Sequence, residues 1–302
     1  MGERAIDGDN HDMGGRSGAR SASVVIPAHN EEAVIGRLLS ALAEGLDGVT
    51  LDVVVACNGC TDRTAEIARD HGARVVDVAE ASKIAALNAG DEAARGFPRL
   101  YVDADVVLTG RAVRDVARAL AEPGALAAAP PGHLDTTGRP WTVRAFFRVW
   151  EAVQAADQVP AGFGVYAMSA AGRARFDRFP DVMADDLFAR NLFSRDERVA
   201  LATDPVVVES PHTLGALLRR RTRVYVANAQ VAADPALRRL PGAQEPRTPW
   251  WRVVARRPAL IPGAAVFVGV NGVAKLQARR LRRGDRPVAW GRDETTRAAA
   301  GA

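Results

Sequence analysis

Short apolar runs alternate with amphipathic segments along the first third of the chain. Four runs rich in aliphatic side chains predict buried strands at 23–27, 51–55, 74–78 and 100–102. The segments between these runs carry apolar residues at helical spacing and predict helices at 34–46, 65–71 and 84–94. Because strands and helices alternate with short links, we expect an α/β fold with a mostly parallel central sheet flanked by helices.

The pattern is less regular after residue 110. Residues 112–120 predict a further helix. Residues 123–140 contain many prolines and glycines and predict a loop, and residues 141–159 predict an amphipathic helix. This part of the chain shows no recognisable motif, so it does not indicate which ligand it would bind.

Two acidic pairs are the main candidates for chemistry. Asp103 and Asp105 follow the fourth predicted strand, and the carboxyl ends of parallel strands are where ligands of such sheets bind. Two carboxylates one residue apart suit a divalent cation, which in turn can hold a diphosphate. Asp185 and Asp186 form the second pair, and adjacent acidic residues of this kind also favour the first turn of a helix.

Charge is distributed unevenly along the 302 residues, whose formal net charge is +4. Residues 1–218 hold 22 Lys/Arg and 31 Asp/Glu, a balance of −9, whereas residues 219–302 hold 18 and 5, a balance of +13. We therefore expect a disordered Gly- and Ser-rich tail at 1–21, one domain at 22–232 and a basic, partly apolar extension at 233–302. A basic extension favours an anionic partner, such as lipid head groups or nucleic acid.

The extension contains a largely apolar run of 17 residues, 258–274. A bilayer span needs about 20 apolar residues, and Pro262 and Asn271 interrupt this run. We therefore expect an element that lies on a membrane surface or docks on a partner rather than a span. The tryptophans at 250–251 and the arginines within 279–283 suit a membrane interface. A core helix packed on the domain is the alternative.

The two cysteines, Cys57 and Cys60, do not form a disulfide framework and favour a reducing compartment. Their C-x-x-C spacing between a strand and a helix is also that of thioredoxin-like redox sites. The usual flanking tryptophan is absent, and a zinc site would need further ligands from scattered histidines. We therefore expect neither a redox site nor a zinc site at this pair.

Five segments, in this order, resemble the family 2 glycosyltransferases of the GT-A fold, of the bacterial nucleotide-sugar type. The segments are SVVIPAHNEE at 23–32, VVVACNGCTDRT at 53–64, SKIAALNAG at 82–90, YVDADVVL at 101–108, and GFGVYAMS at 162–169 followed by MADDLFARNLF at 183–193. The resemblance implies a GT-A domain that uses a nucleotide-sugar donor.

The resemblance also implies roles for individual residues. The nucleotide-binding positions would be Pro27, Ala28, Asn30, Glu31, Asn58, Asp62, Lys83, Asp103 and Ala104. The family's Asp-x-Asp motif matches Asp103 and Asp105, which implies Mg²⁺ or Mn²⁺ with Asp105 as ligand and Asp103 nearer the ribose or the ion's water shell. The family's later acidic pair matches Asp185 and Asp186, which implies Asp186 as the base that deprotonates the acceptor hydroxyl.

Two departures from the family pattern affect these implications. Many relatives have an acidic residue that binds the base where this chain has Cys57, so the base stays open. Processive relatives carry Gln-x-x-Arg-Trp near the end of the domain, where this chain has Arg-Arg-Thr-Arg-Val at 220–224. The missing Gln and Trp imply one sugar per event, and Arg221 and Arg223 are assigned to the phosphate or acceptor side.

The sequence therefore predicts an inverting, non-processive, metal-dependent transfer of a sugar to an acceptor hydroxyl. The acceptor would be a sugar, a lipid-linked sugar or a small molecule. We expect no nucleic-acid partner and a cytoplasmic protein, attached peripherally at the inner face of the membrane if the extension binds anionic lipid. A nucleotidyltransferase is one alternative, although its usual Gly-rich, Arg/Lys-containing loop is absent after the first strand. A non-catalytic nucleotide-binding or membrane-associated relative is the other, against which the two intact acidic pairs argue.

Overall fold

The computed structural model describes residues 20–157 and 163–283. The strands in these residues are β1 Arg20–Ala28, β2 Val49–Asn58, β3 Arg74–Val78, β4 Arg99–Val102, β5 Val106–Val107, β6 Ala127–Ala129, β7 Gly132–Asp135, β8 Val165–Met168, β9 Arg198–Ala200 and β10 Val206–Glu209. The α-helices are α1 Ile35–Leu42, α2 Thr64–Asp70, α3 Lys83–Ala93, α4 Gly110–Ala119, α5 Trp141–Asp157, α6 Ala170–Arg173, α7 Asp185–Asn191, α8 Leu214–Ala233, α9 Pro235–Arg238, α10 Trp250–Ala255 and α11 Ile261–Arg283. The predicted disordered tail lies outside the described residues up to residue 19, and so do residues 284–302 of the predicted extension.

Seven strands form the central sheet, in the order β3-β2-β1-β4-β8-β6-β9. The first four of these run parallel to one another, whereas β8 is antiparallel to both of its neighbours and β9 is parallel to β6. The mostly parallel sheet predicted from the sequence is therefore confirmed.

Successive residues of β1 face two hydrophobic layers on opposite sides of the sheet. Val24 and Ile26 belong to the cluster that contains α1 and α4, whereas Val25 belongs to the cluster that contains α3 and α7. Burial on both faces explains why this strand is continuously apolar. Gly90 lets α3 approach the sheet, because a Cβ there would lie 2.5 Å from Val25 Cγ1.

The strand β1 also continues past the proline that was expected to end it. Pro27 pairs with Ala56 of β2, whereas β4 pairs only with Ser23–Val25. Beyond Val25 the strand has a single neighbour, so a residue without an amide hydrogen is tolerated there.

The predicted loop at 123–140 was wrong in part, because it contains β6 and β7. β6 lies between β8 and β9, and β7 pairs with β10 in a second sheet of order β5-β10-β7. Neither an alanine triplet nor Gly-His-Leu-Asp has a strand pattern. Pairing with remote strands, rather than local preference, therefore defines these two elements.

The described part of the C-terminal extension packs on the domain. Helix α11 lies against α5 and α8, and the ring of Phe267 stacks on Phe146 with centroids 5.2 Å apart. Tyr225 of α8 donates a hydrogen bond to Asn271 Oδ1 at 2.8 Å. These contacts give the extension and the domain a common core.

The other face of α10 and α11 leaves large apolar side chains exposed, including Trp251 at 53%, Ile261 at 60% and Leu276 at 49%. Among the described residues, one helix, Pro258–Arg283, is long and apolar enough to cross a membrane, by length and composition only. Its 26 residues include Lys275 and the arginines of 279–283 at the C-terminal end. One face of the helix packs on protein, where Asn271 contacts α8.

Candidate active site

The loops after β1 and β2 lie side by side and are tied together. Asn30 has a left-handed backbone with φ 52°, and its Oδ1 accepts a hydrogen bond from the Thr61 amide at 2.7 Å. The amide of Glu31 donates to Thr64 Oγ1 at 2.7 Å. Asparagine tolerates this backbone conformation better than most residues, which accounts for its place at the turn.

Asp62 joins the same loops at the start of α2. Its Oδ1 accepts hydrogen bonds from the Thr64 amide at 3.0 Å and the Thr64 hydroxyl at 2.5 Å, and its Oδ2 accepts from the Glu32 amide at 3.1 Å. Burial opposes ionisation, but these hydrogen bonds outweigh it and lower the pKa of the carboxyl. Asp62 therefore shapes the nucleotide loops, and its direct contact with a nucleotide stays a prediction.

Asn58 connects the end of β2 to α3. Its side-chain Nδ2 donates a hydrogen bond to the Ser82 backbone carbonyl oxygen at 3.1 Å. The backbone carbonyl oxygen of Asn58 accepts a hydrogen bond from His29 Nδ1 at 2.5 Å. Pro27, Ala28 and Ala104 are also buried, and their part in nucleotide binding stays a prediction.

The two cysteines lie within this loop framework. Cys60 Sγ accepts a hydrogen bond from the Asn30 amide and donates one to the Ala28 carbonyl oxygen, both at 3.4 Å. The hydrogen bond from the Cys57 thiol lowers the pKa of Cys60 to about 6. Helix α2 begins only at Thr64, so neither sulfur lies at a helix N-terminus as a thioredoxin-like nucleophile does.

Lys83, the first residue of α3, brings the two acidic motifs together. Its Nζ lies 2.7 Å from Asp103 Oδ1 and 2.8 Å from Asp185 Oδ1. Burial alone would lower the pKa of the ammonium, but the two carboxylates raise it above its usual range. The family resemblance implied a position near the nucleotide for Lys83. It did not predict that Lys83 contacts both Asp103 and Asp185.

Two residues that the sequence analysis did not select hold these carboxylates in place. The Tyr166 hydroxyl donates to Asp185 Oδ2 at 3.0 Å. The Gly164 carbonyl oxygen accepts from the Asp103 amide at 2.8 Å. Gly164 has φ +71°, and a Cβ there would lie 2.8 Å from Asp103 Oδ2. Both lie in the quoted segment GFGVYAMS, where a glycine before a strand was the available clue.

The donor atoms around the acidic motifs bear on the metal assignment. The described residues contain no group of three or more His, Cys, Asp or Glu side chains that could hold a metal ion. Mg²⁺ is commonly held by one or two protein carboxylates together with substrate phosphates. Asp103 and Asp105 fit an ion shared with a bound diphosphate, and the contact of Lys83 with Asp103 favours Asp105 as the main ligand.

Asp186 lies in the first turn of α7, directly after Asp185. Acidic residues are common in the first turn of a helix, so this position also agrees with the alternative that the pair only stabilises the start of α7. Asp186 is half-buried, and burial together with the charge of Asp185 raises the pKa of its carboxyl to about 6. A carboxylate with a pKa closer to neutrality is a better proton acceptor at physiological pH.

Asp186 also lines a cavity of about 270 Å³ between α5, α7 and α8. The charged side chains around this cavity are Asp186, Arg190, Arg221, Arg223 and Arg247. Arg221 and Arg223 were assigned from the sequence to the phosphate or acceptor side. Arg190 and Arg247 were missed, although Arg190 follows Asp186 by four residues, the spacing that places two side chains on one helical face.

The family assignment comes from comparison with known proteins. Residues 23–178 match the model described as glycosyl transferase family 2. The 4,4'-diaponeurosporenoate glycosyltransferase of Staphylococcus aureus (strain bovine RF122 / ET3-1) is 46% identical over 61 residues, 20% of this chain and 16% of that protein. The chain thus matches only about a sixth of the length of such curated relatives.

Two solved structures are similar over more of the chain. Mannosyltransferase PcManGT from Pyrobaculum calidifontis, in complex with GDP-Man and Mn²⁺, aligns with a TM-score of 0.55 and 20% identity over 89% of this chain and 76% of its own. Glucosyl-3-phosphoglycerate synthase from Mycobacterium tuberculosis, in complex with Mn²⁺ and UDP-Glc, aligns with a TM-score of 0.48 and 22% identity over 68% and 77%. The first similarity supports the GT-A fold, and the family match covers more than half of the chain: the protein belongs to glycosyl transferase family 2.

Proposed function

We propose that the protein transfers a single sugar from a nucleotide-sugar donor to an acceptor hydroxyl, with inversion at the anomeric carbon and with Mg²⁺ or Mn²⁺. The observation that carries this proposal is the position of Asp186. It directly follows Asp185, a member of the cluster with Lys83 and Asp103, and it lines the cavity between α5, α7 and α8. A base between a donor site and an acceptor site is what an inverting transfer requires.

The donor side would use the residues assigned from the sequence. The loops of Asn30, Glu31, Asn58 and Asp62 would hold the nucleoside, together with Pro27, Ala28 and Ala104. When bound, the cation would neutralise the diphosphate as it leaves, with Asp105 as ligand and Asp103 beside it. Lys83 would keep Asp103 and Asp185 close together despite their like charges.

The acceptor side would contain Arg221 and Arg223 of α8. The stretch Arg-Arg-Thr-Arg-Val at 220–224 lies within this helix and lacks the tryptophan that processive relatives carry. We therefore infer that one sugar is added per event. The 61 matched residues of the Staphylococcus aureus relative are too few to transfer its acceptor to this chain.

The product of donor turnover tests the proposed reaction against its alternatives. Purified protein is incubated with Mn²⁺ and a panel of UDP- and GDP-sugars, and the released nucleotide is identified by chromatography. Release of nucleoside diphosphate supports sugar transfer or slow transfer to water. Release of pyrophosphate indicates a nucleotidyltransferase, and donor binding without any turnover indicates a non-catalytic relative. A thermal-shift screen of nucleoside diphosphates with and without Mn²⁺ identifies the base.

We further propose that α10 and α11 attach the protein to an anionic membrane surface. The exposed apolar side chains of these helices include Trp251, which directly precedes Arg252, and Ile261 and Leu276, which lie between Arg252 and the arginines of 279–283. Apolar side chains flanked by arginine suit the boundary between head groups and acyl chains. Each basic residue near an anionic surface contributes on the order of 1 kcal/mol.

Vesicle sedimentation tests the membrane proposal. We expect binding to vesicles that contain phosphatidylglycerol at low salt, weaker binding at high salt, and little binding to phosphatidylcholine alone. Leu276→Asp should reduce binding, whereas Leu214→Asp, an exposed leucine at the start of α8, should not. Protein that stays in the supernatant with anionic vesicles at low salt would contradict the proposal.

A further inference from the structure

The cavity beside Asp186 has a mainly basic lining. Four arginines and a single carboxylate contribute its charged lining. Arg190 comes from α7, Arg221 and Arg223 come from α8, and Arg247 comes from the segment before α10. Since these arginines come from three separate parts of the chain, the charge is a product of the fold rather than of one basic stretch.

At least one of these arginines is held by neutral groups. Arg221 Nε donates to Asn271 Oδ1 at 3.3 Å, and the guanidinium lies 5.7 Å from the Phe146 ring centroid and 5.2 Å from that of Tyr225. Burial lowers the pKa of Arg221, as expected for a cation whose neighbours do not neutralise it. An anion in the cavity would relieve this cost, and arginine's fork of donors matches a phosphate or carboxylate.

The cavity borders Asp186 and is separate from the donor cluster in its lining residues. Its described lining includes neither Lys83 nor the carboxylates of Asp103 and Asp105. The general base has to face the acceptor hydroxyl, so the space that Asp186 shares with the arginines belongs to the acceptor. The remaining lining includes the apolar side chains Trp150, Met183, Leu187 and Val224.

From this arrangement we propose that the acceptor carries an anionic group, a phosphate or a carboxylate, which the arginine cavity binds while the hydroxyl lies at Asp186. The inference rests on the proposed function, because it takes Asp186 as the base. It adds the chemical class of the acceptor. Arg190 and Arg223 would hold the anionic group, and Arg221 would orient it from α8.

Inorganic phosphate is the probe for this site. The donor site is first saturated with the nucleoside diphosphate found by thermal shift, together with Mn²⁺, so that phosphate reports on a second site. Phosphate binding is then measured by calorimetry for the full chain. We expect wild-type protein to bind phosphate under these conditions. Arg190→Gln and Arg223→Gln should each weaken the binding roughly tenfold, the effect of losing a charged hydrogen bond.

Arg219→Gln is the matched control. Arg219 is an exposed arginine on the same helix α8 and does not line the cavity, so its replacement should leave phosphate affinity unchanged. The proposal is overturned if wild-type protein binds no phosphate once the donor site is full. It is also overturned if Arg219→Gln weakens binding as much as the cavity variants, or if Arg190→Gln and Arg223→Gln lower nucleoside diphosphate affinity instead. The affinity of the wild-type protein for nucleoside diphosphate tests the proposed donor site independently of the phosphate result.

Competition identifies the source of the anionic group. Glycerol 3-phosphate and dihexanoyl phosphatidic acid carry the same phosphomonoester, one as a free metabolite and one as a short-chain lipid. Tighter competition by the lipid supports a lipid-linked acceptor, and equal or weaker competition by the lipid supports a soluble acceptor. If neither competes with inorganic phosphate, the cavity does not accept phosphomonoesters and the proposal is wrong.

Discussion

The two sides of Asp186 balance their charges in different ways. On the donor side, Lys83 lies between Asp103 and Asp185, and each Nζ–O distance is below 3 Å. On the acceptor side, the four arginines of the cavity face a single lining carboxylate. The proposed donor side therefore pairs its charges within the cluster, whereas arginines outnumber the carboxylate in the lining of the proposed acceptor side. Under the proposed function, the donor cluster is organised before substrate binds, and the acceptor side favours an anionic ligand.

Replacing Asp186 tests the boundary between the two sides and should have the largest effect. Asp186→Asn keeps the shape of the side chain but removes its capacity to accept a proton. Turnover should fall roughly 10²–10⁴-fold, the range that general base catalysis supplies, with little change in donor affinity. The measurements are initial rates and calorimetry of donor binding. Asp181→Asn, at an exposed carboxylate five residues earlier, should have wild-type turnover; an active Asp186→Asn variant would move the role to Asp185.

Removing the proposed metal ligand sharpens the description of the donor side. In Asp105→Ala, Lys83 still neutralises Asp103, so the fold should persist while the ion loses its main ligand. We expect donor affinity in Mn²⁺ to fall to the value that wild-type protein shows with a chelator. Calorimetry with and without EDTA measures this, and Asp70→Ala, at an exposed carboxylate on α2, is the control. Wild-type donor affinity in Asp105→Ala would disprove the assignment.

The pH dependence of kcat/KM tests the role of Asp186, first in the wild-type protein and then in Asp186→Asn. The raised pKa of Asp186, about 6, means that the carboxyl is ionised and able to act as a base above that pH. Below it, kcat/KM should fall about tenfold per pH unit as the base is protonated. Above it, kcat/KM should reach a plateau. The acid limb should disappear in Asp186→Asn, and a limb of the same pKa in that variant would assign the titration to another group.

How much was predictable from sequence also differs between the two sides. Donor-side residues such as Asn58 and Asp103 end strands of a parallel sheet, so an apolar run followed by a polar residue was enough to locate them. The acceptor side is assembled from α5, α7, α8 and the segment before α10. Arg190 and Arg247 come together only through packing of these helices, which no local pattern encodes. The contact of Lys83 with both acidic motifs was missed for the same reason, because its partners lie 20 and 102 residues away.

Gly164 provides the subtlest test of the donor side, because it affects Asp103 without removing any charge. Gly164→Ala places a Cβ 2.8 Å from Asp103 Oδ2 at a backbone φ of +71°, so the carboxylate must move away from its position beside Lys83. Gly138 has a similar φ of +69°, but a Cβ there would have no heavy atom within 4 Å. Both alanine variants should therefore lose about 1 kcal/mol of stability from backbone strain, measured by urea unfolding. Only Gly164→Ala should also weaken metal-dependent donor binding, by about tenfold, a smaller effect than the roughly 10²-fold that a 1 Å misplacement can cost. Equal donor affinity in the two variants would show that the position of Asp103 is not critical for the donor, and that the cluster around Lys83 stabilises the fold alone.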